Sequence, residues 1–284
     1  MHKSRAEPQL VAESTAQTTT HRRAVPGASW LVLASLPMVA FLVLPIVALV
    51  LRVDLAGLLA ALASPAVAQA VQLSLTTSAA STLLALLLGT PLAYLLARHR
   101  FAGHRLLDTL VDLPMVLPPA VAGIALLLAF GRRGLVGPIF EAAGISIAFS
   151  TIAVVLAQTF VAAPFYIKSA VAGFAGVDND LEQAAQVDGG GPWQVFGAIT
   201  LPLAAPVLLG GMVMSWARAL GEFGATIIFA GNFPGRTQTM PLAIYLGFEL
   251  DFGVALTLAL ILLSVSFAVL FIVRVLLRQG VARV

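Results

Sequence analysis

The chain has no cysteine, little charge and few histidines. Of its 284 residues none is Cys and 4 are His, and the charged residues together make up 10%. Without cysteine there is no disulfide, no thiolate metal site and no cysteine nucleophile. His2, His21, His99 and His104 all lie in polar flanks, and no pair stands at metal-ligand spacing on an apolar helix. His99 and His104 read as members of a basic loop rather than as metal ligands. A soluble domain carries roughly 25% charged residues, so the composition excludes an ordinary water-soluble fold. No Gly-x4-Gly-Lys-[Ser/Thr] sequence occurs, and so no phosphate-binding loop of that kind is expected. There is no internal repeat at solenoid spacing.

What the chain has instead is apolar residues: 60% are hydrophobic and the mean hydropathy is +0.99. Runs of about 20 apolar residues recur, long enough to cross a hydrocarbon core as helices. They are continuously apolar, whereas a transmembrane barrel would alternate with period two. Six spans are expected, near Ala28–Leu51, Ala68–Ala97, Leu110–Phe130, Ile147–Ala170, Pro206–Ala230 and Phe252–Leu277. The second carries Ser74, Thr76, Thr77, Ser78 and Ser81. The third is broken near its start by Pro114 and Pro118-Pro119, either as a gate hinge or as a static kink. Residues 1–27 are polar and aperiodic and read as a disordered tail, not as a cleaved signal. Residues 28–66 hold the first span and an external loop, 67–277 the core with the other five spans and a cytoplasmic loop at 178–202, and 278–284 a short tail with no soluble domain.

Orientation follows from lysine and arginine in the loops. An inside N-terminus places Lys3, Arg5, Arg22, Arg23, Arg98, Arg100, Arg105, Lys168, Arg274, Arg278 and Arg283 on the cytoplasmic side. Arg52, Arg132, Arg133 and Arg236 then face out, and Arg218 lies within a span. Both termini are therefore expected inside, and the 178–202 loop in the cytoplasm. The external loops Gly131–Ser146 and Gly231–Asp251 are rich in Gly and Pro and read as turns or re-entrant segments.

The 178–202 loop is a short acidic stretch between two very apolar ones. Asn179 is expected to cap a helix, with Glu182 completing a capping box. Ala184-Ala185 keeps that helix slim, and Gly189-Gly190-Gly191 ends it. Pro192 suits the first turn of a second short helix to about Ile199, and Leu201-Pro202 with Pro206 marks re-entry into the membrane. The expected shape is a helix–turn–helix foot, on which something soluble docks.

This loop resembles the cytoplasmic loop of ATP-binding cassette (ABC) importer permeases, whose pattern is Glu-Ala-Ala, three residues, Gly, nine residues, Ile, one residue, Leu-Pro. Ala184, Ala185, Gly189, Ile199, Leu201 and Pro202 stand at that spacing. The first position departs, being Gln183 with Glu182 one residue earlier; either Glu182 substitutes for it or the contact is mostly steric. The resemblance implies an all-α integral membrane protein with the type I ABC importer permease fold. It also implies that Glu182, Gln183, Ala184, Ala185 and Gly189 couple the spans to a separate ABC ATPase.

A second constellation is the fifth span and its exit, Ala217 through Asn232. Ionisable residues inside a span are costly and usually face protein or water in pairs. Arg218 and Glu222 are four apart, on one helical face, and can form an ion pair. They either line a gate, near the cytoplasmic end of the helix, or pack. Gly221 and Gly224 permit close helix contact. The run Leu220-Gly221-Glu222-Phe223-Gly224-Ala225 resembles oxyanion permeases generally, and Gly235-Arg236-Thr237-Gln238-Thr239-Met240-Pro241-Leu242-Ala243-Ile244-Tyr245 resembles the molybdate and tungstate branch. Arg218, Glu222, Asn232 and Arg236 are the pathway or gate candidates. Arg132, Arg133 and Arg236 would attract an anion, contact a binding protein or simply be solvated. Ser, Thr and Asn hydroxyls and amides of the second span, the fifth span and its exit could hydrogen-bond the anion in passing.

The resemblance implies a homodimeric permease in the bacterial cytoplasmic membrane that moves molybdate or tungstate by alternating access. Its partners would be the ATPase, which holds ATP and Mg, an extracytoplasmic oxyanion-binding protein, a second copy of the chain and membrane lipid, with no nucleic acid. No catalytic, cofactor or metal residues are expected in this chain. Sulfate or thiosulfate is the alternative cargo. An ion-coupled carrier would leave the 178–202 loop without a purpose, and an intramembrane enzyme would need a nucleophile–base pair or metal cluster at membrane depth.

Overall fold

The computed structural model describes residues 28–281, and all regular structure among them is helical. The chain divides into two compact units, the second beginning at Leu49. The described residues of the first belong to α1 (Ala28–Arg52), a helix apolar on every side despite Pro37 and Pro45 within it. Such a helix has no polar face to turn to water.

The second unit is built around three long helices: α3 (Pro65–Arg98), α7 (Thr151–Ala175) and α10 (Leu201–Leu220). They pack closely because small residues stand where they cross. Gly89 of α3 faces Tyr166 and Ile167 of α7, and Gly173 of α7 faces Val207 and Leu208 of α10. Ser215 Oγ donates to Ala162 O at 2.9 Å, so α10 runs antiparallel to α7 at this crossing. Ala93, Tyr166, Ile167, Ala170, Phe174, Ala204 and Leu208 fill the core at one end of this trio.

Among the described residues, five helices are long and apolar enough to cross a membrane: α1, α3, α7, the continuous Pro192–Leu220 segment, and α13 (Phe252–Val281). A sixth span exists if α4 (His104–Val116) and α5 (Pro119–Phe130) are taken together, but they meet at 117°. The break falls at Leu117-Pro118. Pro114 lies inside α4 without ending it, so of the two proline breaks expected in the third span only the one at Pro118-Pro119 separates two helices.

The fifth span also differs from expectation. Its helix begins before Pro206, which is internal, and ends at Leu220; α11 (Gly224–Phe229) resumes after the three residues Gly221–Phe223. α11 lies on α5: a Cβ at Gly123 would fall 2.7 Å from Ile228 Cβ, and one at Gly224 2.6 Å from Pro119 Cβ. Gly224 is thus a contact glycine as expected, whereas Gly221 meets only its own helix.

The connecting segments hold short helices that hydropathy alone did not mark. These are α2 (Leu55–Leu62), capped by Asp54, α6 (Gly137–Ala142), and α12 (Met240–Leu250), which packs back on α13. α13 continues to Val281, so residues 278–281, expected in a tail, are helical. The expected tail at 1–27 and the final residues 282–284 lie outside the described residues.

Candidate functional site

The 178–202 loop folds into a foot. α8 (Asn179–Val187) is followed by a turn at Asp188–Gly191, α9 (Pro192–Val195) and one π-helical turn, Phe196–Thr200, which runs directly into α10. Leu201 N–H bonds back five residues to Phe196 O, so Leu201-Pro202 marks no break. The cap is Asp178, whose Oδ1 accepts from Asp180 N at 2.9 Å, not Asn179. Gly189 ends α8 at φ +91°, a conformation that favours glycine.

Glu182 does not close a capping box. Its Oε1 accepts from Arg98 Nη2 at 2.9 Å and from Thr200 Oγ1. Arg98, the last residue of α3, also donates to Val177 O at 3.1 Å and to Asn179 Oδ1. The Arg98 and Glu182 side chains are 11% and 13% exposed, so this carboxylate is turned inward. Gln183, Ala184 and Gly189 are exposed and Ala185 is half-buried. Leu181, Ala184 and Val187, three apart, form an apolar stripe on the outer side of α8; Val187 and, beyond the turn, Trp193 are each 86% exposed. Beneath the foot, Tyr94 packs edge-on against Phe174 and Phe196 with centroids 5.5 and 5.2 Å apart, a geometry aromatic pairs favour. The foot is thus anchored below and apolar outside.

The other constellation lies at the far end of α10, about 26 Å from Leu201 at the helical rise of 1.5 Å per residue. The expected position near the foot end is therefore corrected. Arg218 Nη1 meets Glu222 Oε2 at 2.7 Å, with side chains 30% and 1% exposed. The other carboxylate oxygen accepts from Ala225 N at 2.8 Å and so caps the start of α11. Both oxygens of Glu222 are engaged within the subunit. Arg236 is exposed, its carbonyl accepting from Thr151 Oγ1 at 2.9 Å, and Asn232 is half-buried with a long bond to Leu242 O at 3.4 Å. No hydrogen bond or ion pair joins either to Arg218 or Glu222 among the described residues. Next to Arg236, at Gly235, a polar hollow of about 220 Å³ is lined by Gln69, Gln72, Leu73 and Thr76.

Residues 85–282 match the family described as the binding-protein-dependent transport system inner membrane component. The chain belongs to this family. The molybdenum transport system permease protein ModB of Mycobacterium tuberculosis is 47% identical over 237 residues, covering 84% of this chain and 90% of that one. ModB of Escherichia coli is 42% identical over 217 residues, 76% and 93% of the two chains. A probable sulfate transport permease, cysT of Zygnema circumcarinatum, is more distant at 34% over 239 residues, 83% of each. Among solved structures, a bacterial ABC transporter for import of the acidic polysaccharide alginate superposes with TM-score 0.69 over 88% of this chain and 96% of that one, at 19% identity. The fold is that of a type I ABC importer permease, and the chain is a multi-pass membrane transport subunit rather than an enzyme.

Several site residues of this permease were not evident from its sequence. Arg98 read as a loop charge and proves to be the partner of Glu182. Lys168, expected at the cytoplasmic edge, lies inside α7, where its Nζ meets Asp108 Oδ1 at 2.8 Å and Asp112 Oδ2 at 2.9 Å on α4. The four-residue spacing of the two carboxylates was the available signal. The hydroxyls expected to serve a passing anion are mostly committed elsewhere. Ser74, Thr77, Ser78 and Ser81 are buried; Ser74 Oγ accepts from Met240 N at 2.6 Å, and the other three bond to carbonyls of their own helix. Arg132 pairs with Glu141 at 3.4 Å on the surface, where such pairs contribute little.

Proposed function

We propose that this permease is the membrane subunit of an ABC importer that carries molybdate or tungstate into the cytoplasm. Two copies form the pathway, with both termini on the cytoplasmic side of the bacterial inner membrane. A cytoplasmic ATPase binds ATP and Mg and docks on the foot, and an extracytoplasmic oxyanion-binding protein delivers the anion. ATP binding draws the two ATPases together, the feet follow, and the spans open outward; hydrolysis resets them.

The observation that carries this reading is the foot. A membrane protein that exposes Leu181, Val187 and Trp193 on two short helices of one foot presents a surface that water penalises and a partner would cover. The similarity to ModB proteins supports molybdate over sulfate. The hollow lined by Gln69, Gln72, Thr76 and Gly235 supplies neutral donors, chemistry that suits an oxyanion.

The test is ATP-dependent uptake of radiolabelled molybdate into proteoliposomes holding this chain, its ATPase and its binding protein. Uptake blocked by tungstate but not by excess sulfate is expected. Strong competition by sulfate would move the assignment to sulfate, and no uptake of any oxyanion would overturn it.

A further inference from the structure

We propose that Arg98 and Glu182 form an internal strut that converts movement of the foot into movement of α3 and α10 together. The inference rests on the importer reading above. It assigns Glu182 a positioning role inside the subunit and leaves docking to the exposed side chains of α8 and α9.

Four contacts meet at one guanidinium and one carboxylate. Arg98 ends α3, and its Nη2 reaches both Glu182 Oε1 (2.9 Å) and Val177 O (3.1 Å), while Nη1 reaches Asn179 Oδ1. The same Oε1 accepts from Thr200, a fully buried residue at the entrance to α10. One charged pair therefore joins the end of α3 to the start of α8, more than eighty residues on, and to the start of α10. A fork of fixed geometry holds several acceptors at once, which a lysine at this position would not do.

The pair is well placed to transmit a push. α8 shares few side-chain contacts with the helices behind it, none of its residues is fully buried, and it would otherwise pivot about the turn at Gly189. Because the pair is almost dry, parting the two charges is unfavourable, so a displaced foot carries both helices with it. Those helices reach the opposite end of the unit, α3 through Ser74 at the start of α12 and α10 through Arg218 and Glu222 at the start of α11. Gln183, the neighbour that stands at the first position of the loop pattern, points outward and is free to meet the ATPase.

The experiment uses the complete transporter in proteoliposomes and compares Arg98→Glu, Glu182→Arg and the double charge swap. The readouts are ATPase subunit retained on purification, ATP hydrolysed, and molybdate imported per ATP. Each single variant is expected to keep its ATPase and hydrolyse ATP while import per ATP falls at least about tenfold, and the swap is expected to restore most of it. If the reversals fail to insert, Glu182→Met, which removes the acceptor of both Arg98 and Thr200, carries the same expectation. Loss of the ATPase subunit from Glu182→Arg but not from Arg98→Glu would make Glu182 a docking contact and overturn the strut. An unchanged import-to-ATP ratio in all variants would overturn it as well. If the unmodified complex imports no oxyanion, the transport reading itself fails and the strut with it.

Discussion

Removing the carboxylate of Glu222 should unfold the far end of α10 before it alters transport. The side chain is 1% exposed, with one oxygen on Arg218 Nη1 at 2.7 Å and the other on Ala225 N at 2.8 Å. Glu222→Gln has a single acceptor oxygen for two donors, so one donor loses its partner; a charge-assisted bond of this kind contributes about 1.5–3 kcal/mol. Arg218→Met is worse, because it strands a buried carboxylate, and breaking such a pair costs about 3–5 kcal/mol. Since Arg218 is 30% exposed and water can follow, the lower end of that range applies. Replacing both residues with methionine should recover part of the loss, although the orphaned Ala225 N–H still costs about 1 kcal/mol or more. The assay is thermal unfolding of the detergent-purified chain followed by intrinsic tryptophan fluorescence, paired with uptake normalised to folded protein. The expected order of midpoints is wild type, then Glu222→Gln, then Arg218→Met, with Glu222→Gln importing near-normally per folded molecule. An unchanged midpoint together with lost uptake would refute the packing argument and make Glu222 a pathway residue.

Three further outcomes are expected. Gly189→Val forces a β-branched residue to φ +91°, at a cost of about 1–2 kcal/mol confined to the foot; copurification of the ATPase should fall while membrane insertion is unchanged. Trp193→Ala removes a side chain that is 86% exposed, so the thermal midpoint should hold and ATPase association should weaken; a large drop in midpoint would show that Trp193 packs internally. Lys168→Met leaves Asp108 and Asp112 facing each other without a cation; the midpoint should fall and recover when both are changed to asparagine, and no recovery would refute the triad.

The sequence by itself determined the solvent, the helical class and the place of the foot. Continuous apolar runs admit only helices in lipid, because each backbone group must be satisfied within its own segment. The slim Ala184-Ala185 helix, the Gly189 turn and the ion pair between Arg218 and Glu222 follow from spacing within one helix or turn, and the structure has all three. Only the tertiary structure decided which way the polar groups turn. Glu182 reads as a surface acid until Arg98, 84 residues away, is placed beside it. The serines and threonines of α3 read as a polar lining until α7 and α12 cover them. The prolines of the third span announce a break, but its place at Leu117-Pro118 and its angle of 117° between α4 and α5 come only with the fold. Proline marks where a helix is weakened, but the direction of the bend depends on what packs beside it, here Gly224 on Pro119 and Lys168 on the two aspartates. Periodicity along the chain reports local geometry, whereas the partner of a long polar side chain depends on residues brought near it only by folding.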